Sequence, residues 1–207
     1  MVILSLIQSK EEYLFYLEAD RISLRIDHRR PSLFHDEIWK YQRSLRKVEF
    51  IENCKKNSLG KISRLEAWFW LKRLSVKFGF TISPNSFGPG LAIVHLGPIV
   101  VHPEARIGEN CRIHHCVTIG SIPFTAKVPI IGNNVFIGPG AVIIGDIKIA
   151  DGIAIGANSF VNKSFDKPNI TIAGCPAKQV SDKGSGDYLL SATETLRNRI
   201  QQNSATE

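Results

Sequence analysis

Six side chains with chemistry to offer fall between positions 95 and 116: His95, His102, Cys111, His114, His115 and Cys116. An imidazole titrates near neutrality, which suits it to take a proton from a hydroxyl that is otherwise a poor nucleophile. The run Cys111-x-x-His114-His115-Cys116 also invites a metal reading. It fails on direction: along a strand and corner successive side chains point to opposite sides, so these four cannot converge on one ion, and no metal is expected. A Cys116 nucleophile assisted by His115 is the third chemistry this cluster allows.

A repeat of six residues positions the cluster. From Ile131 the chain reads IGNNVF, IGPGAV, IIGDIK, IADGIA, IGANSF, opened by Ile131, Ile137, Ile143, Ile149 and Ile155, with Val161 next. A small or β-branched residue follows four places on: Val135, Ala141, Ile147, Ile153, Ser159. Upstream the phase holds through Val101, Ile107, Ile113 and Ile119, and before that come FGPGLA and IVHLGP. Two extra residues, Ile99 and Val100, break it once, and the stretch 120–130 breaks it again as a loop. A period of six is neither helical nor that of a plain strand. It fits a short strand and a tight corner, three per turn, stacked as a parallel β-helix with the aliphatic residues inward. Gly, Asn and Asp cluster where the corners need positive φ: Gly132-Asn133-Asn134, Gly138-Pro139-Gly140, Gly145-Asp146, Asp151-Gly152 and Gly156-Ala157-Asn158. Allowing for the two extra residues, one coil forward from His95 is His115, and His114 falls over Val94.

Residues 1–80 read as helices, with Ile38, Tyr41, Leu45, Val48 and Ile51 at helical spacing and an aromatic-rich segment ending near Gly79. Three or four helices here would cap the first coil, whose open strand edge must be covered. The chain divides as 1–80 helical, 81–180 β-helix of four to five coils, and 181–207 a polar tail with one loose helix.

Composition bounds the rest. The 207 residues are 43% hydrophobic and 22% charged, an ordinary globular make-up. No apolar run approaches the ~18 residues of a membrane-spanning helix, and the start MVILSLIQSK does not read as a secretory signal. Four cysteines make no disulfide scaffold, so reduced thiols in the cytoplasm are expected. Residues 1–80 hold 16 Lys+Arg against 10 Asp+Glu, and residues 81–207 hold 10 against 9. That N-terminal excess is read first as a solvated helical face, and otherwise as a contact for an acidic partner or for the inner membrane surface. No nucleic-acid-binding signature accompanies it.

Over roughly residues 80–180, the segment FGPGLAIVHLGPIVVHPEARIGENCRIHHCVTIG, the later hexads and the ending ITIAGCPAKQV resemble the serine acetyltransferase branch of the left-handed β-helix acyltransferases. The resemblance implies a mainly β fold: a left-handed parallel β-helix of hexapeptide repeats with an α-helical N-terminal domain and a short C-terminal tail. It implies transfer of acetyl from acetyl-CoA to an acceptor hydroxyl by a homotrimer with sites between neighbouring prisms; a dimer of trimers through residues 1–80 is the larger alternative. It places the catalytic base at His95, in GLAIVHLGPIVV, with His114 or His115 orienting it or touching the acceptor. By the same resemblance Pro139 and Ala157 are small-residue positions beside the pantetheine arm of acetyl-CoA. Gly138, Gly140 and Gly156 permit close approach there, and Lys163 and Lys178 meet the phosphates.

The chain departs from the serine-specific pattern at three places. Val94 stands where an aspartate precedes the histidine, Thr81 where a second aspartate opens the first coil, and Lys127-Val128 where an Arg-His pair precedes Pro129. A zwitterionic amine without its carboxylate loses a charge-assisted bond of about 1.5–3 kcal/mol. The ending NSATE also lacks the terminal Ile that partner enzymes in cysteine synthesis grip. These departures favour a neutral acceptor, the hydroxyl of a saccharide in surface polysaccharide biosynthesis, over the alternative of a serine O-acetyltransferase. A non-catalytic trimeric scaffold, using loop 120–130 and the N-terminal helices as its surface, is the reading from another class. A carbonic-anhydrase-like prism would need zinc-binding histidines converging between protomers, and no such pattern is seen.

Overall fold

The computed structural model describes residues 6–32, 34–55, 58–122 and 127–204. Expectations resting on loop residues 123–126, on the first five residues and on the final three lie outside them. Three helices come first: α1 (Lys10–Ser23), α2 (Glu37–Cys54) and α3 (Ser58–Phe78). Ser9 caps α1 by accepting from the Glu12 amide, and Glu11 and Glu12 lie in the first turn, where acidic residues favour the helix dipole.

From Phe80 the chain winds through five coils. The first contributes β1 (Phe80–Thr81) and β2 (Ala92–Ile93), and the second β3 (Ile99–Val101), β4 (Arg106–Ile107) and β5 (Arg112–Ile113). The third has β6 (Thr118–Gly120), β7 (Ile130–Ile131) and β8 (Phe136–Ile137), and the fourth β9 (Val142–Ile144), β10 (Lys148–Ile149) and β11 (Ala154–Ile155). The fifth has β12 (Phe160–Val161) and β13 (Thr171–Gly174), and β14 (Ala177–Ser181) folds back antiparallel on β13. The strands stack into three parallel faces: β1-β3-β6-β9-β12 as face one, β4-β7-β10 as face two, and β2-β5-β8-β11-β13 as face three. This is the left-handed parallel β-helix of the hexapeptide type.

The hexad arithmetic survives as packing. Ile131, Ile137, Ile143, Ile149, Ile155 and Val161 are buried, and so are Val135, Ala141, Ile147, Ile153 and Ser159 four places on. Aliphatic side chains of equal length stack coil upon coil, filling a narrow prism without voids. Asn134, Gly140, Gly145, Gly152 and Asn158 take the positive φ the corners demand. Ile113 pairs with Ile137, 24 positions on, whereas Ile137 pairs with Ile155, 18 on; the six extra residues form the loop between β6 and β7.

The open edge of the first coil is closed by polar side chains of α1 and α2. Gln42 acts as a neighbouring strand: its amide donates to the Leu91 carbonyl at 2.7 Å and accepts from the Ile93 amide at 3.0 Å. Asp20 Oδ1 accepts from the amides of Gly90 and Leu91, and Arg46 donates to the carbonyls of Phe87 and Gly88. Arg46 is itself held by Asp20 at 2.9 Å and Glu49 at 3.0 Å, with all three side chains buried. Buried backbone groups must find partners. Here the side chains of Asp20, Gln42 and Arg46 supply them, and β2 is held in place just before His95.

The tail departs from the sequence-based expectation. Its helix α4 (Ala192–Ser204) is not loose but docked beside α1. Arg197 makes a two-pronged pair with Glu109 at 2.6 and 2.9 Å, its guanidinium lies 5.6 Å from the Phe15 ring, and Thr193 is buried against Asn110.

Candidate active site

The three edges of the prism carry different residues. The edge between faces two and three is a ladder of corner asparagines. The Asn110 amide donates to Asn134 Oδ1 at 2.8 Å, and Asn133 Oδ1 accepts from the Glu109 amide at 2.9 Å. The tail covers this edge: the Ser185 amide donates to the Gly152 carbonyl, and Thr193 exchanges two hydrogen bonds with Asn110. The edge between faces one and two carries the inserted loop, with Lys127 paired to Asp146 at 2.7 Å.

The third edge, between faces three and one, gathers the candidate chemistry. Strand β2 ends at Ile93 and pairs in register with Ile113 of β5. His95 and His115 therefore occupy equivalent corners on successive coils, with ring centroids 5.7 Å apart and the planes at 72°. His114 also leans on His95, at 5.6 Å. Gly97, two residues past His95, is required at this turn. Its φ is +134°, and a Cβ there would stand 3.1 Å from the Cβ of His115. Below His115 the same edge continues through Gly138-Pro139-Gly140 and Gly156-Ala157-Asn158. The Gly140 amide donates to the His115 carbonyl at 3.0 Å, and the Asn158 amide to the Pro139 carbonyl at 2.9 Å.

Electrostatically the three imidazoles differ. His95 is exposed, while His114 and His115 are half-buried. Among the described residues no hydrogen bond or ion pair holds the His95 ring. His114 is pressed against Phe136, with centroids at 5.2 Å, and Tyr188 of the tail packs on the far side of Phe136 at 5.0 Å. Burial, with Arg112, His95 and His115 nearby, pushes the His114 imidazole down to about 4, so it is neutral at physiological pH. His114 Nε2 and His115 Nδ1 are buried with no hydrogen-bond partner. Such unpaired atoms are uncommon in native interiors and here line the side of the site.

The other sequence candidates separate. Cys111 points into the core and burial raises its thiol, whereas Cys116 is exposed at a corner with φ +60°. The two cannot act together. Lys178 lies on β14, just past the hairpin that ends the His95 edge. Lys163 lies on the fifth coil at the loop edge, 5.4 Å from the centre of the Phe165 ring. The two lysines stand on different edges of one protomer. Thr81 is on β1, exposed, and Val94 is half-buried beside His95. Gln42, Arg46, Glu49 and Asp20, which hold β2, were missed by sequence reasoning. Polar residues at 42, 46 and 49 share one helical face beside the apolar stripe, a signal that spacing alone could have raised.

The Bacterial transferase hexapeptide (six repeats) family matches residues 129–163. The serine acetyltransferase of Buchnera aphidicola (subsp. Schizaphis graminum) is 37% identical over 125 residues, covering 58% of this chain and 48% of that protein. The chain spans about half the length of the curated relatives it matches first. The crystal structure of serine acetyltransferase from Brucella abortus in complex with coenzyme A superposes with a TM-score of 0.66 at 27% identity, covering 84% of this chain and 70% of that one. That of Neisseria gonorrhoeae serine acetyltransferase in complex with serine gives 0.66 at 28%, covering 84% and 71%.

These likenesses overturn the saccharide reading. The relatives are serine acetyltransferases, and none of those described carries a polysaccharide label. The error was one of weight. A missing carboxylate worth about 1.5–3 kcal/mol changes affinity by one or two powers of ten. A loss of that size weakens binding of an amine without by itself excluding an amine-bearing acceptor.

Proposed function

We propose that this chain is a serine O-acetyltransferase that takes its acetyl group from acetyl-CoA, with His95 as general base. The observation that carries the reading is the placement of His95: an exposed imidazole on a rigid corner, one coil above an edge of small residues, in a chain similar to serine acetyltransferases of known fold. Coil geometry does the positioning. Gln42 and Asp20 fix the strand that leads into His95, and His115 and His114 wall it on the next coil. His95 removes the proton of the serine hydroxyl as that oxygen attacks the acetyl carbonyl. The resulting imidazolium returns the proton to the departing thiolate. His114, held neutral, adds no positive charge that would oppose the base.

The residues present suit acetyl-CoA. Below His115 the edge bears only the side chains of Pro139, Ala157 and Asn158, so an extended pantetheine arm can lie against the backbone. The donor supplies the activated acetyl group, and Gly138, Gly140 and Gly156 keep its path open. A homotrimer fits this arrangement, with a dimer of trimers as the larger form. His95 and the inserted loop stand on different edges of one prism, as do Lys178 and Lys163. Edges of neighbouring protomers bring such pairs to one cleft.

The test is release of CoA thiol from acetyl-CoA by the purified chain on adding L-serine. Turnover that depends on serine and disappears in His95→Ala is expected. No release with serine, despite measurable acetyl-CoA binding by calorimetry, would remove the serine assignment. No acetyl-CoA binding at all would leave the scaffold reading.

A further inference from the structure

Helix α3 is apolar on two opposite faces. Ala67, Leu71 and Phe78 are buried against α2 and the first coil. On the other side Ile62, Leu65, Phe69 and Val76 are 74%, 75%, 60% and 73% exposed. At about 100° per residue these four fall within about 60° of arc, directly opposite the buried face. A single exposed leucine is ordinary, but four large apolar side chains on one outer face of a helix mark a surface that meets something apolar.

The surroundings of the stripe say what. Lys72 borders it on one side, Arg73 and Lys77 on the other, and all three are exposed. Phe69, Lys72, Arg73, Val76 and Lys77 line one shallow hollow. The single acid of the helix, Glu66, is engaged by Lys47 at 3.8 Å. Trp68 and Trp70 flank the stripe, 36% and 50% exposed. An anionic bilayer complements all of these features. Aliphatic and aromatic groups enter the acyl boundary, indoles sit at headgroup depth, and Lys and Arg reach the phosphates. Among the described residues no helix is long and apolar enough to cross a membrane, and α3 needs only to lie on one.

We propose that the outer face of α3 is a membrane-surface anchor that lays the protein on anionic lipid with the prism projecting away. This inference does not depend on the acetyl acceptor. The test is sedimentation of the full chain with vesicles of phosphatidylcholine, with and without phosphatidylglycerol. Binding is expected only where phosphatidylglycerol is present, and is expected to weaken at high salt. The double variant Leu65→Asp/Phe69→Asp, at positions already in solvent, should abolish binding while leaving the melting temperature and acetyl transfer in solution unchanged. Replacing Lys72, Arg73 and Lys77 by Gln should weaken binding about a hundredfold. Absence of binding to the anionic vesicles, or undiminished binding by the double variant, would overturn the proposal. So would a change of oligomeric state in the double variant by analytical ultracentrifugation, which would assign the face to a second copy.

Discussion

His114 packs its ring against that of His95, centroid to centroid at 5.6 Å, from the neighbouring coil, while its other side is closed by Phe136. A neutral, half-buried imidazole thus walls an exposed one that is proposed as the base. The pair is built by the two extra residues at 99–100, which set the register at 20 positions so that Ile93 meets Ile113.

Truncation of His95 is expected to lower acetyl transfer by about a hundred- to ten-thousandfold, the usual contribution of a positioned general base. Its ring is exposed and carries no structural hydrogen bond, so the melting temperature should not move. Thiol release and a thermal melt on the same preparation check both.

His114 carries a pH dependence of stability. Its imidazole lies near 4 in the folded chain and near 6.5 when unfolded, so between those values the unfolded chain binds more protons. Stability therefore falls as pH drops from about 6.5 to about 4, and rises again with pH. Urea titrations across that window should show the slope, and His114→Phe should flatten it. An imidazole NMR signal for His114 that titrates near 6.5 would contradict the prediction.

Val94→Asp restores a carboxylate beside His95. We expect the serine KM to fall about tenfold, the low end for a hydrogen bond to a charged group, with kcat little changed. The steady-state parameters with serine at saturating acetyl-CoA decide it, and an unchanged KM would mean the amine is bound elsewhere.

Arg46 ties the helices to the first coil. Arg46→Leu leaves Asp20 and Glu49 as buried, unpaired acids and strands the carbonyls of Phe87 and Gly88. A loss of about 3–5 kcal/mol is expected, read from denaturant unfolding. Glycine at the same position should be no milder, because the cost lies in the abandoned charges.

The hexad pattern made the prism legible because each inward position has a chemical identity that repeats, and a small insertion shows as a break in phase. Register follows from that count, which is why His115 could be placed over His95. The contact of His114 with Phe136 and Tyr188 was not legible, since Tyr188 comes from a tail whose path no periodicity marks. The acceptor was misjudged for a related reason. Residue identities at 81, 94 and 128 are plain in the sequence, but their weight in binding depends on neighbours that the sequence does not display.

The amino-acid order alone determined the coil, its inward aliphatic column and its glycine and asparagine corners, because each of these is a local rule repeated at a fixed interval; His95 as candidate base came instead from the resemblance of its segment to a known family. Tertiary structure decided the rest. It chose which edge the tail covers and which it leaves bare. It turned Gln42, Arg46 and Asp20 into the cap of the first coil. It also set one apolar face of α3 toward solvent, because only a packed neighbour determines which side of a helix is inside.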